Sequence, residues 1–162
     1  MALTYDDWET ELEDAIKTHI DTYVATDVEV LIEKQLERPF TKPVITIAQI
    51  DGDSRNTGGM NTVGGGEQGK WEMPSYYITV TTDDGDYAQN KRLGRNKVAS
   101  QLQKNAFEKY LHVFKAAIDA TVVNMRQLGV TTGGGPTADD QTYQRAFMLD
   151  IEVIIPFTSV VI

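Results

Sequence analysis

The side chains that could do chemistry in this sequence are few and scattered. Its two histidines, His19 and His112, lie on separate predicted helices, and neither belongs to an HExxH or GxSxG pattern. No arrangement pairs a nucleophile with a base, and the absence of cysteine excludes a thiolate nucleophile. His19 also falls within an apolar stripe, which favours a packed and hydrogen-bonded ring over a catalytic one. The sequence therefore predicts no catalytic residues.

The segment 51–56, DGDSRN, begins like a calcium-binding loop but does not continue as one. Arg55 occupies a ligand position, and Thr62 stands at the twelfth position, where such loops carry glutamate. Two triple-glycine stretches, 64–66 and 133–135, lack the lysine and the strand-to-helix setting of a phosphate loop. We therefore predict neither a metal site nor a cofactor, and we interpret these glycines as a source of flexibility.

The charge of the chain is strongly negative. Its 162 residues carry a net charge of −9, with a pI near 4.6, which opposes binding to phosphate backbones. Carboxylates of the first predicted helix, such as Glu9 and Glu13, fall on its solvated side. The only basic cluster, 91–97, contains Arg92 and Arg95, and in so acidic a chain it favours contact with a neighbouring subunit over contact with nucleic acid.

Apolar residues at helical spacing predict two helices. The first begins at a Thr4 cap and ends near Tyr23. The second covers 96–128, and Gly129 follows it in a position that often ends a helix. At about 1.5 Å per residue this run would span roughly 48 Å, so we expect a break or an overhang onto a neighbouring subunit. No apolar stretch approaches the length of a membrane span, and the N-terminus is acidic, so we expect a soluble protein.

Alternating and β-branched stretches predict strands, and polar, glycine-rich stretches predict the loops between them. The sequence between the second and third strands is long and rich in glycine, which is typical of a flexible hairpin loop. The apolar C-terminal tail is expected to dock on another surface. The predicted strands cover 28–33, 44–50, 76–81 and 143–155, the loops cover 51–69 and 131–140, and the docking tail covers 157–162.

This element order predicts one α+β domain over 1–162, with a mostly antiparallel sheet of about four strands and two helices packed on one face. Strands 44–50 and 147–155 carry apolar side chains that would point both ways. A single layer of helices covers only one side of a sheet. The other face is therefore expected to be buried by other subunits.

In the order and texture of its elements the chain resembles the tail terminator, or tail completion, family of tailed bacteriophages. The resemblance is carried by the helix ending near Tyr23, the strand 28–33 running into KQLERPFTKP, the loop-bearing hairpin, the long helix, and a final strand that leaves as DIEVIIP over 150–156. It covers nearly the whole chain, without a short diagnostic motif.

The resemblance implies a structural virion protein of the tail or neck, assembled in the host cytoplasm. Such proteins form a ring, usually of six copies, which caps the tail tube and presents a surface to the head-completion or connector proteins. The resemblance implies no catalytic residues and no membrane. DNA would pass through the channel without specific binding, which the acidity of the chain fits. The long helix and the 51–69 loop depart from a plain family member and are expected to contact sheath, tube or connector.

The expected contacts to subunits and tube lie on the hairpin, in the basic cluster and on the tail. Two alternatives remain open. One is another phage neck or baseplate adaptor, such as a head-closure protein, and the other is a small enzyme for which the 51–56 loop and His112 are the nearest candidates. The predicted interface residues are Asp53, Arg55, Asn56, Met60, Lys70, Trp71, Arg92, Arg95, Phe157 and Val160.

Overall fold

The computed structural model describes residues 3–24, 28–32, 42–56, 67–83, 95–133 and 142–158. These residues form an α+β fold with three helical segments and five strands. In chain order the elements are α1 (Trp8–Tyr23), β1 (Glu29–Ile32), β2 (Val44–Asn56), β3 (Glu67–Asp83), α2 (95–109), α3 (Leu111–Ala117), β4 (Ala120–Gly133) and β5 (Thr142–Thr158). Within α2, Gln101–Lys109 is a π-helix.

The strands form one mixed sheet in the order β1-β2-β3-β5-β4. The short β1 runs parallel to β2, and every other neighbouring pair is antiparallel. The sheet thus has one strand more than the sequence predicted. The parallel β1 makes it mixed, although most of its pairing is antiparallel as expected.

The helices pack on one face of the sheet, and the core lies between these two layers. Ile47, Ile78 and Phe147 stand side by side across three adjacent strands and are fully buried. Side chains two positions away along each strand continue this surface, because successive residues of a strand point to opposite faces. The helices contribute Leu12, Ile16, Ile20, Leu102, Phe107 and Phe114 to the same core.

The first helix follows the predicted apolar stripe but starts later than expected. It begins at Trp8 with Asp7 at the cap position, and the Asp7 side chain makes no capping bond. Thr4 is not the cap, because the Glu11 carboxylate accepts hydrogen bonds from the Thr4 backbone N at 2.7 Å and from Thr4 Oγ1 at 2.6 Å. These bonds hold the N-terminal segment against the first turns of α1.

The prediction of one long helix over 96–128 is wrong. The helical run ends at Ala117, Asp119 takes a positive φ of 51°, and the chain reverses into β4. A β-branched run, 121–123, favours an extended chain and outweighs the helical spacing. Val123 and Met125 face the core while the residues between and beside them are exposed, which is a strand period. Gly129 ends no helix and lies in β4 at a register shift.

The two predicted loops are also shorter than expected. Residues 51–56 extend β2, and Glu67 begins β3, so the strands take up both ends of the predicted 51–69 loop. Similarly, 131–133 belong to β4, and 157 and 158 complete β5. Residues 57–66, 134–141 and 159–162 lie outside the described part of the chain. Within the described part, no helix is long and apolar enough to cross a bilayer.

We predict that Phe114→Ala lowers the free energy of unfolding by about 3–5 kcal/mol, because it empties a fully buried aromatic site between helices and sheet. Val113→Ala, on the adjacent and exposed position of α3, should cost only about 0.5 kcal/mol. Urea unfolding followed by circular dichroism measures both values. Equal losses in the two variants would contradict this packing.

Candidate functional site

The face of the sheet opposite the helices carries no helix from the described part of the chain. We call it the open face. Its central row is formed by Ala48, Tyr77 and Met148, which stand beside one another on β2, β3 and β5. Ala48 and Met148 are partly exposed, and Tyr77 is 38% exposed.

Further apolar groups continue the open face toward one end of the sheet. Ile154 on β5 is 37% exposed and pairs with Trp71 on β3, while Val122 on the edge strand β4 is 44% exposed. At the other end the face is closed, since Val44 and Thr81, which pair with each other, are buried. A sheet with apolar groups on both faces reaches its lowest free energy only when both faces are covered. The open face is therefore a candidate protein-protein interface.

Asp150 is the centre of a small polar cluster on the open face. Ser75 Oγ donates a hydrogen bond to Asp150 Oδ1 at 2.7 Å, and Arg126 Nη2 lies 3.1 Å from Asp150 Oδ2. This cluster connects β3, β5 and β4. A partly exposed ion pair of this kind contributes little to stability, but it leaves both carboxylate oxygens of Asp150 with a partner. If a partner covered the open face, the Asp150 carboxylate would therefore be buried together with its partners and not as an unpaired charge.

Six of the predicted interface residues come together at one end of the sheet. Arg55 pairs with Trp71, Asn56 pairs with Lys70, and Lys70 pairs in turn with Ile155 on β5. Asp53 lies two positions before Arg55 on β2, and Phe157 lies two positions after Ile155 on β5. The backbones of the hairpin and the end of β5 therefore adjoin, but successive residues such as Lys70 and Trp71 lie on opposite faces of the sheet.

Lys70 in this group already has partners within the chain. Its Nζ lies 2.9 Å from Glu72 Oε1 and 5.7 Å from the centre of the Tyr5 ring. The hydrogen bond to Glu72 raises the pKa of Lys70. Lys70 therefore links the sheet to the segment before α1, on the face that carries the helices.

The other predicted interface residues do not join this surface. Arg95 lies in the first turn of α2, is only 4% exposed, and donates through Nε and Nη2 to Asn96 Oδ1 at 3.1 and 2.8 Å. It offers little surface for a neighbour in the isolated chain. Met60, Arg92 and Val160 lie outside the described residues.

Sequence reasoning missed the side chains that dominate the open face, Tyr77, Val122 and Ile154. For Tyr77 and Ile154 the sequence contained a signal, because the residues of the predicted strands 76–81 and 143–155 alternate between two faces. Val122 was hidden by the wrong helix assignment.

His19 is buried between the helices and is hydrogen-bonded, which confirms the packed interpretation. Its Nε2 lies 2.6 Å from the Ala106 carbonyl oxygen, which can only accept, so Nε2 carries the proton. The ring packs against Tyr23, Phe107 and Phe114 at centroid distances of 4.8, 5.3 and 5.1 Å. Burial lowers the pKa of His19, and the bond to Ala106 offsets only part of this effect.

A further hydrogen bond joins α1 to the π-helix beside the bond from His19. Asn105 Nδ2 donates to the Tyr23 carbonyl oxygen at the end of α1. A π-helix bonds each N–H to the carbonyl five residues back, as Tyr110 N does to Asn105 O, and such wide turns are rare and often functional. Here the wide turn places the Asn105 side chain and the Ala106 carbonyl against α1.

The two candidates named for the small-enzyme alternative lie on separate elements. The 51–56 segment is a paired strand and not a metal-binding loop, and His112 is exposed on α3. Across the described residues, no group of three histidine, aspartate or glutamate side chains could hold a metal ion.

We predict that His19 makes folding pH-dependent. Because its pKa is lowered in the folded state, the unfolded chain binds the proton more readily, so this contribution to stability is complete above pH about 6.5 and falls as the pH drops below that value. His19→Gln should remove this part of the decline, whereas His112→Gln, at an exposed site, should keep it. Urea unfolding across a pH series measures the slopes, and the prediction fails if the slopes of the two variants agree.

No protein-family model matches the chain, and no curated protein matches it significantly. The function proposed below is supported by the residues and contacts described above.

Proposed function

We propose that this protein is a structural subunit of a tailed bacteriophage, which assembles into a ring, caps the tail tube and joins it to the head-completion proteins. The observation that carries the proposal is the open face. The fold covers one side of its sheet with helices and leaves Tyr77, Val122 and Ile154 accessible on the other. An accessible apolar face of this kind is typical of a surface that binds another protein subunit.

The open face has the composition of a protein interface. Aromatic residues and methionine are enriched in the buried centres of interfaces, and Trp71, Met73, Tyr77 and Met148 all lie in the strands that form this surface. Burying one large apolar side chain contributes about 1.5–3 kcal/mol. A few such groups at the centre of an interface usually carry most of its binding free energy.

The sheet end formed by the hairpin and β5 suits a contact with the tube. It gathers Arg55, Asn56 and Trp71 beside the last residues of β5. Three adjacent strands, β2, β3 and β5, form this end through their backbone pairing. Residues 57–66 connect β2 to β3 in the sequence. The proposal assigns subunit contacts to the open face and tube contacts to this end.

The negative charge of the chain fits a channel for DNA. A net charge of −9 per subunit would be multiplied by the number of subunits in a ring. Repulsion between this charge and the phosphate backbone would prevent the salt-dependent binding that basic channels show. DNA would then pass without being held.

The mass of the purified protein in solution, followed by negative-stain imaging with its tail-tube protein, tests the proposal. We expect rings that bind the ends of tubes. Tyr77→Asp should remain folded but fail to form rings, because it places a charge at the centre of the open face. Ala116→Asp adds the same charge at an exposed position of α3 and should form rings normally.

A folded native protein that stays monomeric and ignores the tube would contradict the proposal. Rings that ignore the tube but bind a head-completion protein would instead identify the head-closure alternative. Rings of unchanged mass in Tyr77→Asp would show that the open face is not the subunit contact.

A further inference from the structure

A groove between α1 and α3 is a second accessible apolar surface, separate from the open face. It encloses about 340 Å³ on the outer side of the helical layer. Thr18 and Thr22 on α1 and Val113 and Ala117 on α3 line its walls, and His19 lies at its base. Val113 is 38% exposed. The proposed ring does not require this groove.

The shape of the groove follows from small side chains above a large aromatic cluster. His19, Phe107 and Phe114 fill the space beneath, where the two phenylalanine rings meet edge to face at 5.6 Å. The lining residues of the helices include the small side chains Ala15 and Ala117 and the short polar side chains Thr18 and Thr22. Thr22 Oγ1 donates to the Thr18 carbonyl oxygen at 2.7 Å, so this hydroxyl is already satisfied within α1. The walls therefore present mainly apolar surface.

The length of the groove matches a short helix. Its α1 wall runs from Glu11 to Tyr23, which spans about 18 Å at 1.5 Å per residue, or roughly three helical turns. An amphipathic helix that docks in such a groove inserts apolar side chains spaced three or four residues apart. The spacing of Thr18 and Thr22 on one wall and of Val113 and Ala117 on the other fits that repeat.

The negative charge at the rim of the groove favours a partner that carries positive charge. Among the described residues, Glu11 and Asp14 are the charged lining residues of the groove, and no lysine or arginine lines it. Glu11 is held by Thr4, whereas Asp14 is exposed and makes no hydrogen bond or ion pair within the described part of the chain. The His19 ring at the base has its Nε2 proton committed to Ala106. A partner with a positive charge beside its apolar residues would complement this rim.

We propose that the groove between α1 and α3 docks a basic amphipathic helical segment of a partner protein. Its apolar side chains pack against Val113 and Ala117, and a lysine or arginine lies beside Asp14. This surface is on the helical side of the sheet, so a ring formed through the open face can still bind the segment.

A designed peptide of three to four helical turns with a leucine stripe and lysines tests this proposal by fluorescence anisotropy. The control peptide keeps the leucine stripe and replaces every lysine with glutamate. We expect the lysine peptide to bind the native protein and the glutamate peptide to bind at least about tenfold more weakly. Absence of binding by the lysine peptide, or equal binding of both peptides, overturns the proposal.

Matched variants locate the binding site. Ala117→Phe fills the groove and should weaken binding at least about tenfold, whereas Ala116→Phe, at the preceding residue of α3 and outside the groove, should not. Asp14→Asn should weaken binding about twofold to fivefold, and Asp6→Asn, an exposed carboxylate outside the groove, should not. Circular dichroism confirms that each variant is folded.

Equal affinity across all four variants would mean that the peptide binds the acidic surface without using the groove, and it would overturn the proposal. Ring mass separates this result from the function proposed above. Ala117→Phe should form native rings while it loses the peptide, and a loss of rings in that variant would place the groove within the subunit contact instead.

Discussion

The packing of helices against one side of the sheet holds this structure together and determines what remains available for function. Ile47, Ile78 and Phe147 form the centre of the buried side. On the same strands, one residue along, Ala48, Tyr77 and Met148 form the centre of the accessible side. Because side chains alternate along a strand, a change of register by one residue would exchange the two surfaces. The buried side therefore fixes which residues the open face presents.

The junction of α1 with α2 and α3 depends on a polar pair inside an apolar layer. His19 reaches the Ala106 carbonyl, and Asn105 reaches the Tyr23 carbonyl, so two side chains satisfy two backbone oxygens across the same contact. Tyr23 and Tyr110 stack beside this pair with centroids 4.2 Å apart. The arrangement gives the helices a defined spacing, and the groove above His19 is a consequence of that spacing. It also gives the only buried histidine among the described residues a structural role.

The sequence was sufficient to predict the fold class, the first helix and most strands, because each of these has one clear period. The alternation of Tyr76, Ile78 and Val80 admits only a strand, and the stripe of Leu12, Ile16 and Ile20 admits only a helix. The segment after Ala117 was ambiguous, since Ile118, Val122 and Met125 fit a helical period while Val123 and Met125 fit a strand. The turn at Asp119 requires a positive φ, and no residue in the sequence indicates that conformation at this position.

The candidate site was predicted in outline but not in its residues. The expectation of an uncovered sheet face followed from apolar strands and too few helices. Its strongest contributors could not be identified without the register, which places Tyr77 beside Met148 and Trp71 beside Ile154. Strands β2 and β3 extend beyond their apolar segments. This extension brings together the backbones of Arg55, Asn56, Lys70 and Trp71. Pairing with a neighbour, and not local propensity, extends those strands.

Thiol labelling of the assembled protein tests the central claim most directly, because the native chain contains no cysteine and a single introduced thiol reports on one position. Val122→Cys places that thiol on the open face, and Ala116→Cys places it on the helical side. We expect Val122→Cys to react rapidly in dissociated protein and slowly in the assembly, while Ala116→Cys reacts rapidly in both. Equal reactivity of Val122→Cys in the two states would contradict burial of the open face between subunits.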